Sequence, residues 1–153
     1  MASSSTVDRK RLYVPAVAGL YEKLAPLAPT LIRVVMGCIV IPHGFNKLFL
    51  ADAVPTSRNF VNFGWAYPLA WAYFIGCIEF FGGVLLVLGL WTRAAALALT
   101  IQMAVIAFAV LWPKWFWGQR GMEYALLMMF VCISILWRGG GPYALDNLMK
   151  KEF

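Results

Sequence analysis

The chain has 153 residues, of which 62% are hydrophobic and only 13% charged, and its mean hydropathy is +0.74. Soluble domains are about half apolar and about a quarter charged, so this balance excludes an ordinary water-facing globule and points to lipid. The net charge of +6 would suit nucleic acid in a soluble protein; here its uneven placement reads as membrane topology, and no nucleic-acid partner is expected.

The opening MASSSTVDRKRLY shows no cleavable-signal pattern and reads as a disordered tail. Between residues 12 and 29, Val17, Leu20, Tyr21 and Leu24 recur at helical spacing, with Glu22 and Lys23 opposite. Pro15 suits a helix start and Pro26 or Pro29 a helix end. The stretch is either a short helix lying in the membrane interface or an irregular linker.

A membrane-crossing helix takes about 20 mostly apolar residues. Four stretches qualify: 30–50, 67–90, 93–112 and 121–137. Pro42 predicts a kink in the first. The connection ADAVPTSRNFVNFGWAYP, residues 51–68, carries Pro55, Pro68 and Asn and Gly residues that argue against continuous helix. The turn LWTR is so short that the second and third spans must be antiparallel neighbours. The expected fold is all-α, a polytopic membrane four-helix bundle. It comprises a cytoplasmic tail with the interfacial helix over 1–29, the transmembrane domain over 30–146 and a cytoplasmic tail over 147–153.

An even number of spans puts both termini on one side. That side holds Arg9, Lys10, Arg11, Lys23, Arg33, Arg93, Arg138, Lys150 and Lys151, against Lys47, Arg58, Lys114 and Arg120 on the other. The positive-inside rule therefore places both termini in the cytoplasm. The opposite side gathers Trp65, Tyr67, Trp71, Tyr73, Trp112, Trp115 and Trp117, an interfacial aromatic belt. Cys38, Cys77 and Cys132 form no CxxC pair and are expected as buried thiols, without disulfide or metal spacing.

The stretch IEFFGGVLLVLGLWTRAAA, residues 78–96, embeds Glu79 in one of the most apolar parts of the chain. A charge at the bilayer centre costs on the order of 3 kcal/mol, so Glu79 should turn away from lipid. It is either protonated or paired with a cation, and Arg33, His43 and Lys47 are the candidates. These three share a stripe with Met36 and Val40 on the first span. Gly37 and Gly44 beside the stripe allow a close neighbour. On the second span Ala72, Gly76, Glu79 and Gly83 share a small-residue face. The third offers Ala95, Ala98, Gln102 and Ala109, and the fourth Glu123, Phe130, Ser134 and Trp137. Topology puts His43, Lys47 and Glu123 at similar heights in the outer half, with Glu79 near the midplane. Arg33 is expected to snorkel to the interface. Glu123 also suits the positive end of its helix dipole. His43 is the only histidine, so no haem or metal site is expected; proton exchange with a bound redox molecule uses it better.

These residues in this order resemble the DoxX family of small four-helix membrane proteins. The resemblance rests on Arg33, His43-Gly44 and Lys47, then Glu79 with Gly82-Gly83, Leu88-Gly89-Leu90 and Thr92-Arg93-Ala94-Ala95. Met103, Glu123, a Gly-Gly-Gly-Pro run and Leu145-Asp146 follow. It implies a bacterial or archaeal cytoplasmic-membrane protein. Some members are membrane subunits of thiosulfate:quinone oxidoreductase or partners of quinol oxidases, and others work with redox-defence proteins. The chain has no Fe–S motif or dinucleotide fingerprint, so a quinone or a partner must carry any electrons. The first expectation is a quinone-linked subunit of an oxidoreductase, with ligand-binding residues His43, Lys47, Glu79, Gln102 and Glu123. Arg33, Gly82, Gly83, Arg93 and Asp146 are expected in structural roles, with Arg93 capping the carbonyls that end the second span, binding lipid phosphate, or pairing with Asp146. The alternative is a non-enzymatic scaffold that assembles a partner protein or a homo-oligomer, in which Glu79 staples the first two helices.

Overall fold

The structure, a computed structural model, describes residues 8–149. Residues 1–7 of the expected disordered start, and Lys150 and Lys151 of the charge count, lie outside these; in the rest of that start Arg9–Arg11 form a 3-10 turn. No strand occurs among the described residues. From Pro15 the chain winds through a 3-10 turn (Pro15–Val17), α1 (Ala18–Leu24) and a second 3-10 turn (Ala25–Leu27) directly into α2 (Ala28–Phe49). Pro26 and Pro29 do not end a helix. Each sits in the first turn of its segment, where a missing N–H breaks no intrahelical bond. After α2 come α3 (Ala53–Asn62), α4 (Pro68–Leu88), α5 (Thr92–Val105), a π-helical turn (Ile106–Leu111) and α6 (Glu123–Arg138).

As expected, the connection 51–68 is not continuous helix, but it holds a ten-residue helix, α3, between breaks at 50–52 and 63–67. Pro55 falls in its first turn, where proline is tolerated. The helix docks through buried Ala53 and Phe60 onto Ala72 of α4. The ring of Phe60 lies 5.5 Å from that of Trp65, which lies 5.1 Å from Trp71.

Three helical segments are long and apolar enough to cross a membrane: Pro15–Phe49, Pro68–Leu88 and Thr92–Leu111, of 35, 21 and 20 residues. Helix α6 has 16 residues, a length of about 24 Å, some 6 Å short of a hydrocarbon core of about 30 Å. It nevertheless packs into one core with the other three. That core takes Met36 and Val40 from α2, Leu86 from α4, Leu99 and Met103 from α5, and Met128, Cys132 and Ile135 from α6.

Two faces differ from expectation. On α5 the buried residues are Thr92, Ala95, Ala96, Leu99, Gln102 and Met103; Ala98 is half-buried and Ala109 exposed, because the π turn shifts the register beyond Val105. On α6 the interior takes Ala125, Met128, Cys132 and Ile135, and the stripe Phe130, Ser134 and Trp137 turns outward. The thiols differ as well: Cys132 is buried, Cys77 is half-buried and Cys38 is exposed.

The closest packing joins antiparallel α2 and α4 through glycines seven residues apart on each helix. A methyl group on Gly37 would come 2.6 Å from the carbonyl oxygen of Gly83, and one on Gly44 would come 2.7 Å from that of Gly76. Helices in lipid gain little from burying apolar surface against each other, so close backbone approach and dispersion hold them. A methyl group on Gly82 would instead meet the Leu99 side chain of α5 at an ordinary 3.6 Å.

At the other end of this interface lies a knot of backbone hydrogen bonds. Arg33 does not snorkel; it is 1% exposed. Its guanidinium donates to the carbonyls of Leu86 and Val87 (2.9 Å to Val87) at the end of α4, and to Gly140 (3.0 Å) and Tyr143 (3.1 Å) beyond α6. A helix end leaves such carbonyls without partners, and the rigid fork of Arg donors satisfies them. Gly89, with φ +68°, ends α4 in the left-handed region, and the Arg33 guanidinium and Ala144 occupy the space a side chain would need. The Asp146 carboxylate accepts the backbone N–H groups of Trp91 (2.6 Å) and Thr92 (3.0 Å), capping α5. Arg93 donates to the carbonyls of Leu136 (3.2 Å) and Trp137 (3.4 Å) that end α6. The carbonyls ending α4 go to Arg33 instead.

Substituting Gly44 by Val should lower stability by about 1–3 kcal/mol through overpacking against Phe80. Gly19→Ala, with open space around it, should change little. Thermal unfolding of the two variants in the same detergent checks this.

Candidate functional site

Glu79 is eleven residues into α4, about 16 Å along the helix from Pro68 and so at mid-depth. The close approach of α2 brings Lys47, in the last turn of that helix, against it. Lys47 Nζ donates to Glu79 Oε2 at 2.7 Å. Gln102 Nε2 from α5 donates to Glu79 Oε1 at 2.6 Å. Lys47 Nζ also lies 3.4 Å from the carbonyl oxygen of His43, one turn earlier. The exposures of Glu79, Gln102 and Lys47 are 4%, 3% and 9%, so none of the three meets lipid. Of the candidate cations, Lys47 is the partner. Arg33 lies fourteen residues earlier on α2, about 21 Å away along the axis.

The charge-assisted geometry is strong, yet removing two charges from water costs several kcal/mol per ion, so such a pair specifies an arrangement more than it adds net stability. Truncating one partner alone is severe, because the other charge stays buried. One atom of the cluster has no protein partner: Gln102 Oε1 is a buried acceptor left over.

On one side of Glu79 opens a cavity of about 270 Å³. Its wall takes Val40 and His43 from α2, Glu79 from α4 and Met103 from α5. The π turn adds Ile106 and Leu111, and the start of α6 adds Gly121, Tyr124, Ala125 and Met128. Small-molecule sites span roughly 300–1,000 Å³ and combine apolar walls with a few placed polar groups. This cavity is at the small end, and its polar groups are a carboxylate, an imidazole and a phenol. It suits a compact polar headgroup. The π turn widens the helix where it supplies two wall residues, a distortion frequent at functional sites.

The structure therefore divides the five expected ligand-binding residues. His43, exposed to the opening, and Glu79 stand on the cavity wall. Lys47 and Gln102 stand behind the carboxylate and hold it. Glu123, half-buried in the first turn of α6, is not among the lining residues. Tyr124 was missed. Its signal was the recurrence of Gly121, Tyr124, Ala125 and Met128 at steps of three and four, which the charge on Glu123 overshadowed.

The family model described as DoxX matches residues 28–112, a stretch that includes Arg33, His43, Lys47, Glu79 and Gln102 but neither Glu123 nor Asp146. The chain is 33% identical over 135 residues to an "Uncharacterized protein" of Haemophilus influenzae, covering 86% of this chain and 97% of that one. It is 30% identical over 149 residues to "Uncharacterized membrane protein Rv3486" of Mycobacterium tuberculosis, covering 90% and 91%. It is 34% identical over 132 residues to "Putative oxidoreductase CatD" of Bacillus subtilis, covering 85% and 92%. No solved structure matches the chain significantly.

Lys47→Met and Glu79→Gln should each cost about 3 kcal/mol, as expected when one member of a buried pair is removed. The double variant should cost less than their sum by more than about 1 kcal/mol. Reversible unfolding in mixed micelles measures the cycle, and additive costs would show that the two groups are not coupled.

Proposed function

The chain belongs to the DoxX family and is a multi-pass membrane protein, and from this premise we propose that it is a redox-associated membrane subunit whose buried polar site receives a quinone headgroup. The observation that carries the reading is the single cavity wall on which Glu79 and His43 meet at the level of the lipid tails. The oxidoreductase title of the Bacillus relative supports a redox link in general terms. A quinone, when bound, supplies ring oxygens that accept hydrogen bonds and take up protons on reduction.

The residues fit such a group. His43 can donate a ring N–H to a carbonyl oxygen. Each Glu79 oxygen uses one acceptor position on Lys47 or Gln102 and keeps a second for a donor in the cavity. Lys47 holds the carboxylate in place and balances its charge, so Glu79 can take or release a proton at the cavity-facing oxygen. Apolar Met103, Ile106 and Met128 keep water from the exchange. Electrons arrive through a partner protein that carries its own redox group.

We place α6 as a short fourth span, with both termini in the cytoplasm of a bacterial or archaeal cell. The asymmetry of basic residues between the two sides supports this orientation. A second reading is favoured by the glycine contacts of α2 with α4: the protein is a scaffold, and the Glu79 pair only locks two helices together.

The full-length protein in lipid nanodiscs should bind ubiquinone or menaquinone analogues. His43→Ala should weaken binding about three- to tenfold, the worth of one hydrogen bond, with no change in melting temperature. Glu79→Gln should weaken binding and lower stability together. Absence of binding at saturating analogue leaves the scaffold reading. Alkaline phosphatase fused to either terminus should be inactive, and fused within residues 114–120 it should be active; the reverse pattern would invert the topology.

A further inference from the structure

The cavity beside Glu79 is not closed toward the bilayer. Helix α2 packs closely on α4, and α6 packs closely on α5, but α2 and α6 meet only loosely. A second hollow of about 320 Å³ lies in that seam, between Ile32, Val35 and Ile39 on α2 and Leu127 and Val131 on α6. It shares Tyr124 and Met128 with the cavity that holds Glu79 and His43, so the two adjoin at those side chains. The floor is buried Met36 and Met128, whereas Ile32, Val35 and Leu127 on the walls are 43%, 48% and 62% exposed. From His43 down to Ile32 is eleven residues, a groove of about 16 Å along the helix axis.

We propose that this α2–α6 groove holds the apolar isoprenoid tail of the molecule whose headgroup lies in the Glu79 cavity, so that the ligand enters sideways from the bilayer. The inference rests on the quinone reading above and extends it. The geometry selects the occupant. The groove is apolar along its length and ends at a carboxylate and an imidazole at mid-depth of the membrane. A phospholipid acyl chain laid there would bring its terminal methyl against those two groups. A molecule with its polar end buried and its tail in the seam matches both ends. Lipid tails are as apolar as the groove, so its advantage for a tail is shape and alignment rather than transfer from water. Filling the groove should therefore remove that advantage without touching the headgroup.

The test compares two probes in the same nanodiscs: a tailless dimethoxy-methyl-benzoquinone and decylubiquinone, which carries an equivalent ring on a long chain. Val35→Trp and, from the opposite wall, Val131→Trp each fill the groove and line no part of the headgroup cavity. Partition of the long-tailed probe into lipid is common to wild type and variants, so the ratio of their dissociation constants reports the groove alone. The expected result is a rise in Kd for decylubiquinone of about fivefold or more, the lower end of what overpacking costs. The Kd of the tailless probe and the melting temperature should stay unchanged. If both variants bind decylubiquinone as wild type does, or lose both probes equally, the tail does not lie in the groove and the proposal is overturned while the headgroup site stands. If wild type binds neither probe, the quinone reading itself fails and this inference with it.

Discussion

A carboxylate at mid-depth in a membrane must be kept from hydrocarbon, and this bundle does so with an ammonium 2.7 Å from one Glu79 oxygen and an amide 2.6 Å from the other. Three helices are needed for that arrangement, one for each group. Lys47 reaches the acid without leaving the interior because α2 and α4 run almost backbone to backbone, and they can do so only where Gly37, Gly44, Gly76 and Gly83 leave no side chain between them. The small residues and the charged residues are thus two parts of one solution. Widening the helix pair would move the lysine away and leave a charge that lipid cannot solvate.

The same constraint makes the site one-sided. Lys47 and Gln102 occupy the carboxylate from behind, so its remaining capacity points toward α6. There the packing loosens and the cavity opens. A rigid, glycine-packed half of the bundle holds the acid, and a looser half leaves an opening beside it. Rigid positioning next to an accessible opening is what a preorganised binding group requires.

Much of this was legible in the amino-acid order. The helices, the short turn between α4 and α5 and the burial of Glu79 followed from apolar run lengths and the cost of charge in lipid. The small-residue face of α4 was visible because glycine and alanine at helical spacing have few other uses there. The choice of Lys47 over Arg33 was not visible. Both lie on one stripe of α2, and only the offset between antiparallel helices tells which one is level with Glu79. Arg33 instead found carbonyls, and the carbonyls of a helix end leave no trace in side-chain patterns. The inward face of α6 was misread for a different reason. A helix surrounded by lipid is apolar on all sides, so polarity does not separate inside from outside. The π turn that rotates Ala109 outward leaves no mark in the pattern of apolar residues, and helix α3 stays hidden because Pro55 reads as a breaker when its place in the first turn is unknown.

Arg33 belongs to α2, which is made before α4, α5 and α6, yet two of its carbonyl partners are Gly140 and Tyr143. Its guanidinium must therefore wait through the synthesis of α4, α5 and α6, held meanwhile by water, headgroups or the carbonyls of Leu86 and Val87 alone. Insertion can bring α2 and α4 together early, but this end of the bundle is sealed only after α6 and the residues that follow it have been made. Translation order and assembly order thus differ here: an arginine of α2 completes its contacts only after α6 is in place.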